Sequence, residues 1–345
     1  MTSVQPRRAR RPRTARPEPS RSTRLLVSLA LGAAVVAVLL VVAAITPAST
    51  PLPDRAQDGL TLAISVLIES LPFVVLGVLL SIVIQVWLPP GAIERWMPRR
   101  AWARRAVLSL LGMFIPVCEC GNVPFARGLM MRGFSVPETL TFLVAAPIVN
   151  PIVILTTHQA FGFDDGILIA RLVGGYVVAN IIGWLYSLHP DPDALITDRF
   201  RDTCDFAATD TGGRGRRSLA QFVVELRAVM PALVIGSGLA GAVHVLVPRE
   251  ALVAIGSNPA LSIAVMIALA MIVSICSNVD AFFALSFAST FTPGAIVAFL
   301  IVGPIVDIKM LALLRTTYRT PVLVGMTVIV VLFAFAMGVG VNLLV

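Results

Sequence analysis

Residues 116–124 read Pro116-Val117-Cys118-Glu119-Cys120-Gly121-Asn122-Val123-Pro124 and place two thiols and a carboxylate inside an apolar stretch. Two prolines and a glycine so close together prevent a continuous helix. A cysteine–x–cysteine pair in extended backbone directs both sulfur atoms to one side, which suits one soft ligand atom. The stretch therefore predicts a broken helix that carries a binding site at its break.

The chain around this stretch has the composition of an integral membrane protein. Of its 345 residues, 57% are hydrophobic and 13% are charged, and the mean hydropathy is +0.89. Soluble domains have about 45–50% apolar and about 25% charged residues. This composition excludes an ordinary soluble enzyme, a disordered protein and a disulfide-bonded secreted module.

The N-terminus is strongly basic, with eight arginines and one acid before Leu25. A basic tail can bind nucleic acid, but this one directly precedes the apolar run 25–46. The positive-inside rule therefore predicts a cytoplasmic tail, residues 1–24, followed by an uncleaved anchor helix, residues 25–46. A nucleic-acid partner is not expected.

Six further apolar segments have the length of transmembrane helices. They are residues 60–88, 138–157, 167–188, 219–247, 293–313 and 321–343. Loops rich in arginine are predicted to be cytoplasmic, and loops poor in arginine are predicted to face outward. The first group is 89–105, 189–218 and 314–320, and the second group is 46–59, 158–166 and 248–258.

Two apolar segments, 106–136 and 260–292, are interrupted by proline, glycine and polar residues. The predicted loop sides require each of them to start and end on the same side of the membrane. Either a re-entrant helical hairpin or a pair of short full spans meets this requirement. Residues 106–117 would reach only about 18 Å across a core of about 30 Å, which favours re-entrant hairpins.

The chain repeats itself internally. Pro72, Gly77 and Pro89 recur as Pro231, Gly236 and Pro248; Cys120-Gly121-Asn122-Val123 recurs as Cys276-Ser277-Asn278-Val279; Pro147-Ile148-Val149-Asn150 recurs as Pro304-Ile305-Val306-Asp307. With the predicted loops, this indicates an all-α inverted-topology repeat: a first repeat at 57–188, a cytoplasmic linker at 189–218 and a second repeat at 219–345. In such folds, broken helices of both repeats meet at a substrate site near the bilayer midplane.

The duplication predicts which residues meet there. Cys118, Cys120 and Cys276 are expected to converge, and three thiols could hold a trivalent metalloid or a d10 cation. Asn122 and Asn278 mirror each other and either cap freed backbone or contact the substrate. Asn150 and Asp307 mirror each other as further substrate-binding candidates.

Ionisable residues inside a membrane are costly and indicate function. The candidates for proton coupling are Glu119, Asp307, Glu69 and Lys309, of which Glu119 and Asp307 are favoured. Lys309, the only lysine, either extends to the membrane surface or serves as a deprotonable cation. Asp280 lies at the tip of the second predicted hairpin, while Arg127 and Arg132 are interpreted as interface anchors.

These motifs, together with Gly133, the stretch 142–151 and Gly303-Pro304-Ile305-Val306-Asp307, resemble a bacterial predicted-permease family that includes the organoarsenical-efflux permeases. The resemblance covers residues 57–345. It implies a multi-pass permease of the bacterial cytoplasmic membrane, without a cofactor. It also implies that Cys118 and Cys120, and with them Cys276, engage trivalent organoarsenicals.

Two classes of function follow from these residues. The favoured one is secondary-active efflux of a small soft or thiol-reactive solute, coupled to protons; the alternative is a membrane thiol oxidoreductase that uses Cys118 and Cys120. The sequence contains no ATP-binding G-x-x-x-x-G-K-[ST] and no H-E-x-x-H, so we expect neither an ATP-driven pump nor a metalloprotease. We predict no catalytic residue and no resident metal. The expected partners are membrane lipid and a small-molecule substrate, and homo-oligomerisation is left open.

Overall fold

The computed structural model describes residues 54–89, 91, 93, 95, 97–115, 117–163, 166–209, 213–246 and 259–344. The predicted basic tail and anchor helix lie outside these residues. The described part of the chain is helical throughout, as predicted, with no strand and one isolated bridge between Ile196 and Tyr318.

The helices are numbered in chain order. Before the linker they are α1 (Asp54–Ile82, continued by a π-helical turn, Val83–Trp87), α2 (Ala101–Leu110, followed by a 3-10 turn, Leu111–Phe114), α3 (Glu119–Met131), α4 (Val136–Val149), α5 (Pro151–Phe161) and α6 (Ile167–Ser187). The linker holds a 3-10 turn, Pro192–Leu195, and α7 (Asp198–Thr209). After it follow α8 (Arg214–Leu246), α9 (Pro259–Val273), α10 (Asp280–Leu285), α11 (Pro293–Ile305), α12 (Ile308–Leu314) and α13 (Thr320–Leu344). The helices before α7 are called the first half, and those after it the second half.

Six helical segments are long and apolar enough to cross a membrane. They are Gln57–Trp87, Val136–Phe161, Ile167–Ser187, Arg214–Val243, Pro293–Leu314 and Thr320–Leu344. Each overlaps one of the six predicted spans, which confirms those predictions. The segments Val136–Phe161 and Pro293–Leu314 are the most buried and form the centre of the bundle.

These two central spans are broken, although the sequence predicted them to be continuous. The first breaks at Asn150 between α4 and α5, and the second at Val306 and Asp307 between α11 and α12. Pro151 restricts the residue before it to extended backbone, so Asn150 leaves the helix. Asn150 and Asp307 then cap the helices that follow, because their side chains accept hydrogen bonds from the backbone N–H of Ile152 (2.9 Å) and Met310 (2.5 Å).

The two predicted interruptions are also present. The chain is extended at Cys118, directly before α3, and it leaves helical structure again after α9. There Ser274 has a φ of 51°, a left-handed conformation that is unfavourable for a residue other than glycine. Such strain persists only where the surroundings hold it, and it clusters at functional sites.

The two halves pack in the same way. Helices α2, α4 and α6 pack against one another, as do α9, α11 and α13. Short helices that follow the breaks contact the opposite half: α3 packs on α12, and α5 packs on α10. An internal duplication accounts for this reciprocal packing, while the opposite membrane orientation of the halves and the re-entrant hairpins stay predictions.

Candidate functional site

Glu119, the first residue of α3, joins the breaks of the two halves. Its buried carboxylate accepts hydrogen bonds from Lys309 Nζ at Oε1 (3.0 Å) and from Ser277 Oγ and the Ser277 backbone N–H at Oε2 (2.7 and 3.3 Å). Lys309 belongs to the first turn of α12, and Ser277 lies in the break after α9. One carboxylate therefore holds together three interrupted segments.

Lys309 does not extend to the membrane surface, so that interpretation was wrong. Its side chain is only 1% exposed and forms an ion pair with Glu119. The apolar pattern of residues 293–313 predicted one continuous helix that ended near Lys309. The break at Asp307 instead starts a new helix in the interior of the protein and places Lys309 in its first turn.

The thiols of Cys118 and Cys276 face the carboxylate of Glu119. Their sulfur atoms and one carboxylate oxygen of Glu119 all lie within 4.8 Å of one another, and the Cys276 sulfur is 3.8 Å from Oε2. Cys120 neighbours Cys118, but its thiol points to Ser70 Oγ at 3.6 Å. All three cysteines are buried and free. The two thiols beside the carboxylate therefore come from opposite halves. The sequence predicted that Cys120 would converge with them.

A close contact between two glycines positions α3. A Cβ atom added to Gly77 of α1 would overlap the backbone carbonyl group of Gly121, and one added to Gly121 would overlap the carbonyl oxygen of Phe73. Only glycine allows the two backbones to approach this closely. The contact fixes the first turn of α3, and with it Cys118, Glu119 and Cys120.

Several buried polar atoms near the breaks have no hydrogen-bond partner among the described residues. They are both amide atoms of Asn122, Oδ1 of Asn278, Oδ2 of Asp307 and Oγ of Ser274. An unsatisfied buried polar group costs about 1–3 kcal/mol. Asn122 lies one helical turn beyond Glu119, on the same face of α3. These atoms are therefore suited to bind a ligand or water.

Two of the predicted site residues, Asn150 and Glu69, have surroundings that do not match their predicted roles. Both polar atoms of the Asn150 amide bind backbone, since Nδ2 donates to the Val117 carbonyl oxygen (2.8 Å) and Oδ1 caps α5. We assign it a structural role that links the two breaks of the first half. Glu69 is exposed on α1 and points away from the bundle, so the structure does not bring it to Glu119.

Comparison with known proteins agrees with this architecture. Residues 56–343 match a family described as predicted permease. The chain belongs to this family. A Streptococcus mutans protein named as a subunit of a two-component membrane permease complex is 32% identical over 294 residues, which cover 84% of this chain and 97% of that protein. The Bacillus subtilis protein YcgR is 36% identical over 260 residues, which cover 74% and 87%. No solved structure matches.

Membership in this permease family identifies the chain as a multi-pass membrane protein and suggests a transporter rather than an enzyme. In the permease, two further buried ion pairs join the halves, and neither was predicted from the sequence. Arg171 of α6 donates to both carboxylate oxygens of Asp280 (3.0 and 2.6 Å) and to Thr157 Oγ1 (2.7 Å). Asp280, which the sequence places at the tip of the second predicted hairpin, is thus held against the opposite half.

The second pair corrects the interpretation of Arg127 as an interface anchor. Arg127 of α3 is buried and donates to Glu225 of α8 at 2.7 Å. Its guanidinium also donates to Thr317 Oγ1 (3.1 Å) and stacks over the Phe200 ring, 4.3 Å from its centroid. Arg132 donates to the carbonyl oxygens of Ile84 and Leu88. Charged residues inside predicted spans, such as Arg171 and Glu225, are the sequence signal that would have indicated these two ion pairs.

Proposed function

We propose that this permease exports a small, soft, thiol-reactive solute, such as a trivalent organoarsenical, by secondary active transport. The observation that carries the proposal is the position of Cys118 and Cys276 beside Glu119, buried at the breaks of two opposed halves. A trivalent arsenical with two hydroxyl groups would condense with both thiols. Two As–S bonds would form, and two water molecules would leave.

Binding of this kind would link the two halves chemically. One thiol belongs to the break before α3, and the other to the break after α9. In repeat transporters, one half moves against the other around the substrate site. A ligand that bridges both breaks would therefore favour one arrangement of the halves over the other, as population shift requires.

The unpartnered polar atoms would complete the site. The Asn122 amide can donate to and accept from polar groups of the solute, and Asn278 Oδ1 offers a further acceptor. Cys120 would have a supporting role, because its thiol faces Ser70.

Proton coupling would use a group that is separate from the thiols, because the condensation releases water and no net proton. Asp307 is the better candidate, since its buried Oδ2 has no hydrogen-bond partner in the part of the chain that the structure describes. Glu119 is already paired with Lys309, so its protonation would first have to break that pair. We propose Asp307 as the proton carrier.

The oxidoreductase alternative gains no support from this geometry. Exchange with a partner disulfide needs an accessible thiol, and Cys118, Cys120 and Cys276 are all buried. Catalysed dithiol–disulfide turnover in the absence of transport would favour that alternative.

Uptake of phenylarsine oxide into everted membrane vesicles tests the proposal. Cys118→Ser and Cys276→Ser should each abolish proton-driven uptake. Cys204→Ser is the matched control, because Cys204 lies on α7 in the linker, and it should transport normally. Transport that survives both site substitutions would refute a thiol-bound substrate.

A further inference from the structure

We infer that the same site binds a divalent d10 cation, for which Zn²⁺ and Cd²⁺ are the probes, through Cys118 Sγ, Cys276 Sγ and one carboxylate oxygen of Glu119. The inference names a second substrate class for the site and rests on the proposed function in using the same two thiols. It differs in giving the carboxylate a direct role as a ligand.

The distances between the donor atoms fit such a cation. Zinc binds thiolate sulfur at about 2.3 Å and carboxylate oxygen at about 2.0–2.2 Å. In a tetrahedral site, a sulfur and an oxygen donor are therefore about 3.6 Å apart, and two sulfurs about 3.8 Å. The Cys276 sulfur lies 3.8 Å from Glu119 Oε2, and all three donor atoms lie within 4.8 Å of one another. Small side-chain rotations would bring them to one cation.

The number of donors suits a cation that enters and leaves. Structural zinc sites are closed by four protein ligands, whereas sites that exchange a ligand keep one position open. Here three protein donors converge, and they come from the breaks of both halves. The Ser277 hydroxyl, which donates to the same carboxylate oxygen (2.7 Å), can rotate to make room. We therefore assign the cation as cargo rather than as a permanent component.

The charges around the site also match a divalent cation. Before binding, both thiols are neutral and the Glu119–Lys309 pair sums to zero. On binding, two S–H bonds break, two S–metal bonds form, and two protons leave. The cation, two thiolates, the carboxylate and the ammonium group again sum to zero. The neighbouring ionisable groups, which are Asp307, Cys120 and the Arg171–Asp280 pair, carry the same charge before and after. The buried site thus avoids the large cost of an uncompensated charge.

The carboxylate separates the two substrate classes. Trivalent arsenic prefers thiolate ligands and needs only the two cysteines, whereas Zn²⁺ and Cd²⁺ also accept oxygen. Lys309 acts here as a positioning residue, because it holds Oε1 and leaves Oε2 turned toward the thiols. Loss of the carboxylate should therefore weaken cation binding and spare arsenical binding.

Titration of the purified full chain with Cd²⁺ in detergent micelles tests the inference. The thiolate-to-cadmium absorption band reports binding, and a dye in weak buffer reports proton release. We expect one Cd²⁺ per chain with two protons released, loss of the band in Cys118→Ser and Cys276→Ser, and an unchanged band in Cys204→Ser. Glu119→Gln should weaken Cd²⁺ binding by about tenfold or more and leave phenylarsine oxide binding unchanged.

Glu119→Gln leaves Lys309 without its partner, so a second variant guards against misfolding. The double variant Glu119→Gln, Lys309→Met removes both charges and should show the same selective loss. Cd²⁺ binding that is unchanged in the double variant, or that falls in step with arsenical binding, overturns the inference.

If Cd²⁺ binds as expected but phenylarsine oxide is not transported, only the proposed arsenical function fails. If phenylarsine oxide is transported but Cd²⁺ does not bind as expected, only this inference fails.

Discussion

Arg171 and Asp280 form a two-point ion pair between the halves of the bundle, with Nη1–Oδ1 and Nη2–Oδ2 distances of 3.0 and 2.6 Å. Both side chains are almost fully buried. A buried charge is tolerated only with its partner. Each half therefore supplies the charge that neutralises the buried charge of the other half. The pair links α6 to α10, and the hydrogen bond from Arg171 to Thr157 of α5 adds a third helix to the contact.

Arg171→Met should destabilise the protein strongly, because it leaves the Asp280 carboxylate charged and buried. Loss of one partner of a buried pair costs about 3–5 kcal/mol. Thermal unfolding in detergent micelles measures the effect. Arg201→Met is the control, since the Arg201–Asp198 pair is exposed and such pairs contribute about 0–1 kcal/mol. Equal melting temperatures for the two variants would contradict the role given to Arg171.

Glu119 and Lys309 should behave as one unit. Glu119→Gln and Lys309→Met each leave a buried charge unpaired, whereas the double variant leaves none. We expect the double variant to lose less free energy of unfolding than the two single variants lose together. The difference, which is the coupling energy, should be about 0.5–3 kcal/mol. A double-mutant cycle on unfolding in micelles measures this coupling. Strictly additive effects would show that the pair does not hold the breaks together.

Gly121→Ala should disrupt the site, because the added methyl group would overlap the Phe73 carbonyl oxygen and the Val117 side chain. Helices α1 and α3 would have to separate, and Cys118 and Glu119 would move with α3. We expect lower stability and loss of arsenical uptake into everted vesicles. Gly238→Ala is the matched control, because nothing lies near its added methyl group and alanine is favoured over glycine inside a helix by about 0.5–1 kcal/mol. Normal uptake by Gly121→Ala would argue against the close contact.

The two cysteines of the C-x-C motif should differ in importance. Cys120 faces Ser70, while Cys118 faces Cys276 and Glu119. Cys120→Ser should therefore keep most of the uptake of phenylarsine oxide that Cys118→Ser loses. Initial rates in everted vesicles at matched protein levels make the comparison. A greater loss in Cys120→Ser would favour the pairing of Cys118 with Cys120 that the sequence suggested.

Asn122→Ala should impair uptake but not stability, whereas Asn150→Ala should lower stability. The Asn122 amide has no partner among the described residues, so its removal should lower uptake without lowering the free energy of unfolding. Asn150 caps α5, and its removal should cost about 0.5–2 kcal/mol of stability. Uptake and thermal unfolding of both variants check the contrast. Destabilisation by Asn122→Ala would indicate a structural role instead.

Much of the architecture could be predicted from the sequence because hydrophobic length and helix-breaking residues are local signals. The six spans follow from hydrophobic length. The interruption before α3 was predicted from Pro116, Gly121 and Pro124, of which Gly121 and Pro124 instead lie inside α3, and the interruption around Cys276 follows from the internal repeat.

The breaks at Asn150 and Asp307 were not predicted, because the prolines near them are no reliable signal: Pro147 and Pro304 lie inside helices, and only Pro151 directly follows a break. An asparagine or aspartate before a helix start is a capping signal, and it could have located both breaks.

The partners of the buried charges could not be predicted in the same way. Arg171 and Asp280 are 109 residues apart, and Glu119 and Lys309 are 190 residues apart. Such pairs depend on how the helices are rotated and stacked, which no local pattern specifies. The repeat indicated that the two breaks meet, and the structure adds that Glu119 connects them to α12.

The ion pairs that cross between the halves have a consequence for how the chain can be divided. A cut within the linker would give two fragments, each with stranded charges: Arg171 and Glu119 in one, Asp280 and Lys309 in the other. Neither fragment should persist when synthesised alone, whereas co-expression should rescue both.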